Sequence, residues 1–148
     1  MQLDISREFL DAISLQHPVV QEGKEKINAN GGLHFLPSSP DGTLHTVVAV
    51  LALTVEGAET PFAQGGWRFL FTSDEKFEPQ QSTDHPFLQQ LMMVGTSKVL
   101  TLLNNLCLHA NLPILPIDLQ RMYAAQQRQG AAQPPAGDAP PAAPPGGR

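Results

Sequence analysis

The apolar positions of this chain change period once, near residue 84, from two to 3.6, which divides it into a strand half and a helix half. Leu3, Ile5, Phe9, Ile13 and Leu15 sit at odd positions with Asp4, Ser6, Glu8, Ser14 and Gln16 on the even ones, the alternation of a half-buried strand. Arg7 and Asp11 interrupt that odd series, and the same residues also allow a short helix after Ser6 with Phe9, Leu10 and Ile13 on one side. A second alternation, Ile27, Ala29, Leu33 and Phe35, contains Gly31-Gly32, where a bulge is expected, and stops at Pro37. Ser38-Ser39-Pro40-Asp41-Gly42 predicts a tight hairpin turn into Thr43–Val55, which is apolar on both faces, as in a central strand covered on each side. Glu56-Gly57-Ala58-Glu59 makes the next turn. Phe62–Thr72 then makes a fourth strand with Trp67, Phe69 and Phe71 on one face and a second expected bulge at Gly65-Gly66.

After the polar stretch Ser73–Asp84, a long helix is predicted, with Asp84 or His85 as its cap and Pro86 in its first turn. Leu88, Leu91, Met92, Val99, Leu102, Leu103, Leu106 and Ala110 recur at three- and four-residue steps. Met93, Val94, Leu100, Cys107 and Leu108 lie off that stripe, so the helix is apolar on two sides: one for the sheet, the other for a second subunit. Leu112–Pro116 reads as extended and Ile117–Arg128 as a short closing helix. Four strands followed by two helices make an α+β fold. From Gln129 to Arg148, sixteen of twenty residues are Pro, Gly or Ala, a composition that buries nothing; the expected organisation is a body of residues 1–128 and a disordered tail of residues 129–148.

Composition narrows the function. The chain has 148 residues, the size of one domain, and its net charge of -5 with no basic cluster argues against nucleic-acid binding. The acids concentrate in the strand half. A single cysteine allows no internal disulfide. The N-terminal residues mix acids with apolar side chains, unlike an export leader, and the most apolar run, Val47–Leu53, falls well short of the roughly 20 residues of a membrane span; the expected location is the cytoplasm. His17, His34, His45, His85 and His109 are scattered without metal-ligand spacing, and no nucleophile elbow or phosphate-binding loop occurs. Asp41 with His45, and Asp84 with His85, fit turn and capping roles better than acid–base pairs, and Cys107 reads as a small helix residue rather than a nucleophile. No enzyme, metal or cofactor is expected.

A family resemblance appears at Asn111-Leu112-Pro113-Ile114-Leu115-Pro116-Ile117-Asp118-Leu119, which resembles the extended linker and last-helix start of SecB-type protein-export chaperones. Val48–Phe62, with Gly57-Ala58-Glu59-Thr60-Pro61-Phe62, is similar to that family's strand, turn and strand, and Gln64-Gly65-Gly66-Trp67-Arg68-Phe69 to its continuation. Arg7-Glu8-Phe9 through Ile13-Ser14-Leu15 and Pro18 resembles its first strand, which decides between strand and helix there. The resemblance implies a four-stranded antiparallel, Greek-key-like sheet followed by one long and one short helix. It also implies an ATP-independent holdase for unfolded or precursor polypeptides, assembled as a dimer of dimers with the helices of residues 86–110 between two sheets. Phe35, Phe62, Trp67, Phe69, Phe71, Leu115, Met122 and Tyr123 are the candidate client-binding residues, and Leu3, Ile5, Phe9, Met93, Leu100 and Cys107 the candidate subunit contacts. In the family, acids on the first strand and second hairpin meet the SecA export motor. Here the first-strand positions are Ala12 and Gln16, Glu59 persists, and Asp11 and Glu56 lie nearby but displaced, so Asp11, Glu56 and Glu59 form the candidate partner-binding set. The displaced acids and the tail also permit a dedicated adaptor or oligomeric module serving one partner in secretion or a toxin–antitoxin system.

Overall fold

The structure is a computed structural model that describes residues 1–16, 26–112, 115 and 117–132. Residues 133–148 of the expected tail, and Pro18, Pro113 and Pro116 of the resemblance, lie outside the described residues. Strands β1 (Leu3–Leu15), β2 (Ile27–Phe35), β3 (Leu44–Val55) and β4 (Ala63–Ser73) precede helices α1 (Pro86–His109) and α2 (Leu119–Ala132). The first segment is thus a strand. β2, β3 and β4 form an antiparallel meander and β1 pairs with β4, giving the Greek-key order β1-β4-β3-β2. α2 starts two residues later than the periodicity indicates and runs on to Ala132, past the expected end at Arg128.

The expected glycine bulges are absent. The β2–β3 register runs unbroken through Gly31↔Leu51 and Gly32↔Val50, and β3–β4 through Val50↔Gly66 and Leu51↔Gly65. Gly65 and Gly66 instead make room: a Cβ on Gly65 would stand 2.8 Å from Val99 Cγ1 of α1, and one on Gly66 2.7 Å from Val48 Cγ1, whereas a Cβ on Gly32 would meet nothing within 4 Å. The irregularities fall on β1, between Ile5 and Arg7 and between Leu10 and Ala12. Each extra residue flips which parity faces α1. Leu3 and Ile5 face it, then Glu8 and Leu10, then Ile13 and Leu15, while Phe9, opposite Arg68, is turned to the other face of the sheet. Arg7 and Asp11, the breaks in the odd series, are where the alternation switches.

α1 lies across one face of the sheet. Its buried row Leu91, Gly95, Val99, Leu103 and Cys107 advances by four residues at every step, one ridge of the helix set into the sheet. Gly95 sets the closeness of approach, because a Cβ there would come 2.4 Å from Ala49 Cβ and 2.9 Å from Phe69 Cε2. The drift of the four-residue row turns Leu106 and Ala110, expected inside, outward and brings Cys107 in. Leu88 and Leu91 of the first half of α1 form one cluster with Val47, Ala49, Phe69, Phe71 and Phe77; Val99 and Leu103 of the second half form a second cluster with Leu51, Leu53, Val55 and Ala63. The helix ends with Asn111 at φ 56°, Leu112 N–H bonding Cys107 O and Asn111 N–H bonding Leu108 O, a left-handed cap that redirects the chain.

By length and composition α1, with a mean hydropathy of 1.3 in its most apolar window, is long enough to cross a membrane, a property the run Val47–Leu53 lacks. In this fold its inner ridge is packed on the sheet as a core helix. The opposite sheet face is not covered by any described element. Val48 is buried there among its neighbours, whereas Leu44 and Val50 are 45% and 39% exposed, so β3 is covered on one face rather than the expected two.

Candidate binding groove

Five of the eight expected client-binding residues are taken by the core. Phe69 and Phe71 are wholly buried under α1, Phe62 and Leu115 are buried where the turn and the linker close the second cluster, and Tyr123 is buried against Thr96 and Met92 of α1. Phe35 is half-buried against the first cluster. The five buried side chains are packed inside the domain, the two on β4 because an aromatic on a strand's apolar face is recruited to the core as soon as a helix covers it. Met122 and Trp67 line surface depressions, and they line different ones.

Met122 belongs to an open groove of about 770 Å³ between the outer edge of β2 and α2. One wall is the consecutive run Lys26 to Asn30; the other is Ile117, Asp118, Arg121, Met122, Ala125 and Gln126. β2 has only β3 beside it among the described residues, so its outer row of backbone N–H and C=O groups faces this groove. The helix that forms the second wall is positioned by three features. Asp118 caps it, its Oδ1 accepting from Arg121 N–H at 3.1 Å. Tyr123 reaches α1, where its hydroxyl hydrogen-bonds Thr96 Oγ1 and lies 3.4 Å from Met92 O. Burial pushes the Tyr123 hydroxyl's pKa above its ordinary value of 10.0, with the Thr96 bond opposing, so it stays protonated as a donor. Third, Gly31 leaves space under α2: a Cβ there would lie 3.0 Å from Met122 Cε and 3.4 Å from Tyr123 Oη. The linker is held independently by Leu115 N–H on Asn104 Oδ1 at 2.9 Å. The strand wall of the groove was not legible as a binding element; its only signal was the alternation Ile27, Ala29, which reads equally as core.

Trp67 lies on the other flank of α1, in an apolar depression with Leu10, Lys98 and Leu102. Glu8 accepts from Trp67 Nε1 at 3.3 Å and pairs with Lys98, whose Nζ is 5.0 Å from the indole centroid.

The remaining expectations divide. Ile5, Phe9 and Met93 are exposed, at 45%, 37% and 46%, although Phe9 faces the opposite side of the sheet from Ile5. Leu3 and Leu100 are half-buried against the two clusters. Cys107 is 1% exposed inside the second cluster and cannot contact another subunit; burial raises its thiol pKa, which makes it inert. Of the acids, Asp11 is tied to Arg68 at 2.5 Å on the open sheet face, while Glu56 and Glu59 are exposed at the β3–β4 turn. Among the described residues no group of His, Cys, Asp and Glu is placed to hold a metal ion. No protein-family model matches this chain, and no curated protein matches it either.

Proposed function

We propose that this chain is an ATP-independent holdase of SecB-like type that binds extended, unfolded or precursor polypeptides in the groove between β2 and α2. The observation that carries the reading is that groove: a strand edge unpaired among the described residues and facing a helix, with Ile27, Ala29, Ile117 and Met122 as apolar lining and about 770 Å³ of open space. The four strand residues Ile27, Asn28, Ala29 and Asn30 offer about 13 Å of backbone for a client to pair with, while its alternate side chains meet the apolar lining. Specificity of this kind is low, because main-chain pairing reads no sequence and a methionine adapts its shape. Assembly as a homotetramer belongs to the same proposal. Met93, Val94, Leu106 and Leu108 are apolar side chains of α1 at 37% or more exposure, and a second copy is the simplest cover for them. The proposal places the protein in the cytoplasm, where its single thiol stays reduced, and leaves Glu56 and Glu59 as the acids available to a basic partner such as the SecA motor.

Suppression of aggregation of a denatured test protein at stoichiometric amounts tests the reading. Wild type is expected to protect, and Met122→Glu, which places a charge in the groove, to lose protection with an unchanged circular dichroism spectrum. Light scattering is expected to give a mass near four times 16.0 kDa, falling to one or two chains in Met93→Glu. Absence of protection at several-fold excess of wild type refutes the holdase. Reproducible capture of one protein with no effect on generic unfolded chains would assign the fold to a dedicated adaptor instead.

A further inference from the structure

Past the far end of β2, two histidines hold the connection between β4 and α1 against the β2–β3 turn. His45, 1% exposed, places Nδ1 2.8 Å from Ser38 Oγ and Nε2 3.0 Å from Ser73 Oγ. Ser73 Oγ donates to Gly42 O at 3.4 Å, so it accepts from Nε2–H, and Nδ1 accepts from the Ser38 hydroxyl. This chain of bonds is complete with a neutral imidazole. His85 is the N-cap of α1, its Nδ1 accepting from Phe87 N–H at 3.2 Å, a bond that only an unprotonated nitrogen makes. Between the two rings stands Phe77, its centroid 5.6 Å from His45 and 5.7 Å from His85, with its N–H on Gly42 O at 3.0 Å. Phe71 lies 4.9 Å from His45 and 5.1 Å from Phe87, completing an aromatic cluster closed by the two histidines.

We propose that His45 and His85 form an acid-sensitive latch: protonating them releases the connection of residues 74–85 from the β2–β3 turn and uncovers Phe77 and Phe87 while the sheet stays folded. The charged groups around the latch are Asp41 on the turn, Asp74, Glu75, Lys76 and Glu78 on the connection, and Asp84 ahead of α1. Asp41 favours the imidazolium of His45, but burial outweighs it and holds the group below its ordinary value of 6.5. Asp41 itself is occupied by Ser39 Oγ at 2.5 Å and Thr43 N–H at 3.2 Å, and Lys76 pairs with Glu78 at 3.8 Å. The sign follows from the depressed value: the opened state binds the proton more readily, so closure is fully stable above 6.5 and weakens as pH falls toward the folded-state value.

Amide hydrogen exchange of the full chain at about pH 7 and about pH 5, corrected for intrinsic rates, tests the latch. Protection of the Phe77 amide is expected to fall at least about tenfold relative to the amides of Val47–Leu53, and the doubly substituted His45→Gln, His85→Asn chain to show no such change, since Asn caps a helix at any pH. Equal protection of Phe77 at both pH values overturns the proposal. So does parallel loss across the sheet, or an undiminished acid response in the double variant. Should that variant fail to fold, ring titrations by NMR in wild type decide: the midpoint of loop opening must coincide with that of His45 or His85, and an opening displaced from both overturns the latch.

Discussion

The two edges of this sheet face the same helix and meet it differently. β1 is bulged twice, and its Glu8 is bound to Lys98 of α1 and to Trp67 of β4, so that edge is tied directly to the helix. β2 keeps an unbroken register, carries Gly31 instead of a side chain at its middle, and is faced by a second helix that stands off enough to leave an open groove. Bulges and inward charges are one way to blunt a strand edge, and a neighbouring helix is another. The first way bridges edge and helix with an ion pair beside a smaller depression; the second leaves the larger groove along the strand. That is why the candidate site sits at β2, although the aromatic residues that suggest a binding surface are concentrated on β4.

Both flanks depend on the seat of α1 on β3, so the largest effect is expected there. Gly95→Val is predicted to cost about 3 kcal/mol, lowering Tm and disturbing both edges together, because its methyls meet Ala49 and Phe69 rather than a movable chain end. A change in Tm of no more than a degree would break the account of the helix seat. Gly31→Val acts on one edge only. It is expected to push Met122 and Tyr123 away and abolish client protection with a loss of about 1 kcal/mol, whereas Gly31→Ala, facing the flexible end of Met122, should keep most activity. Aggregation assays beside thermal melts separate these outcomes. Tyr123→Phe removes the bond to Thr96 and is expected to cost about 1 kcal/mol, seen as faster exchange in α2 with β1 unaffected. The smallest effect belongs to the other edge: Glu8→Gln should cost about 0.5 kcal/mol, since Glu8 and Lys98 are partly solvated, and should leave client protection unchanged. A loss of protection in Glu8→Gln would erase the functional distinction between the edges.

Much of the architecture is readable from periodicity because one helix and one sheet face suffice to bury it. The alternations over β2, β3 and β4 and the three- and four-residue spacing over α1 place the elements within a residue or two, and the breaks at Arg7 and Asp11 mark the bulged strand without revealing its geometry. The sequence also determines that the aromatics of β4 share a face and that α1 carries more apolar surface than one sheet can cover. The binding surface is another matter. Whether Phe69 or Met122 is the accessible side chain depends on where α1 and α2 come to rest, and hydrophobicity alone assigns both to the same class. The glycines illustrate the same division. Gly-Gly in a strand signals either a bulge or a close approach, and the choice is made by Val99, Val48, Met122 and Tyr123, residues distant in sequence that the fold brings over or beside them. The tertiary structure decides these points because contact is a property of pairs across the chain, whereas periodicity reports only which face of its own element a residue occupies.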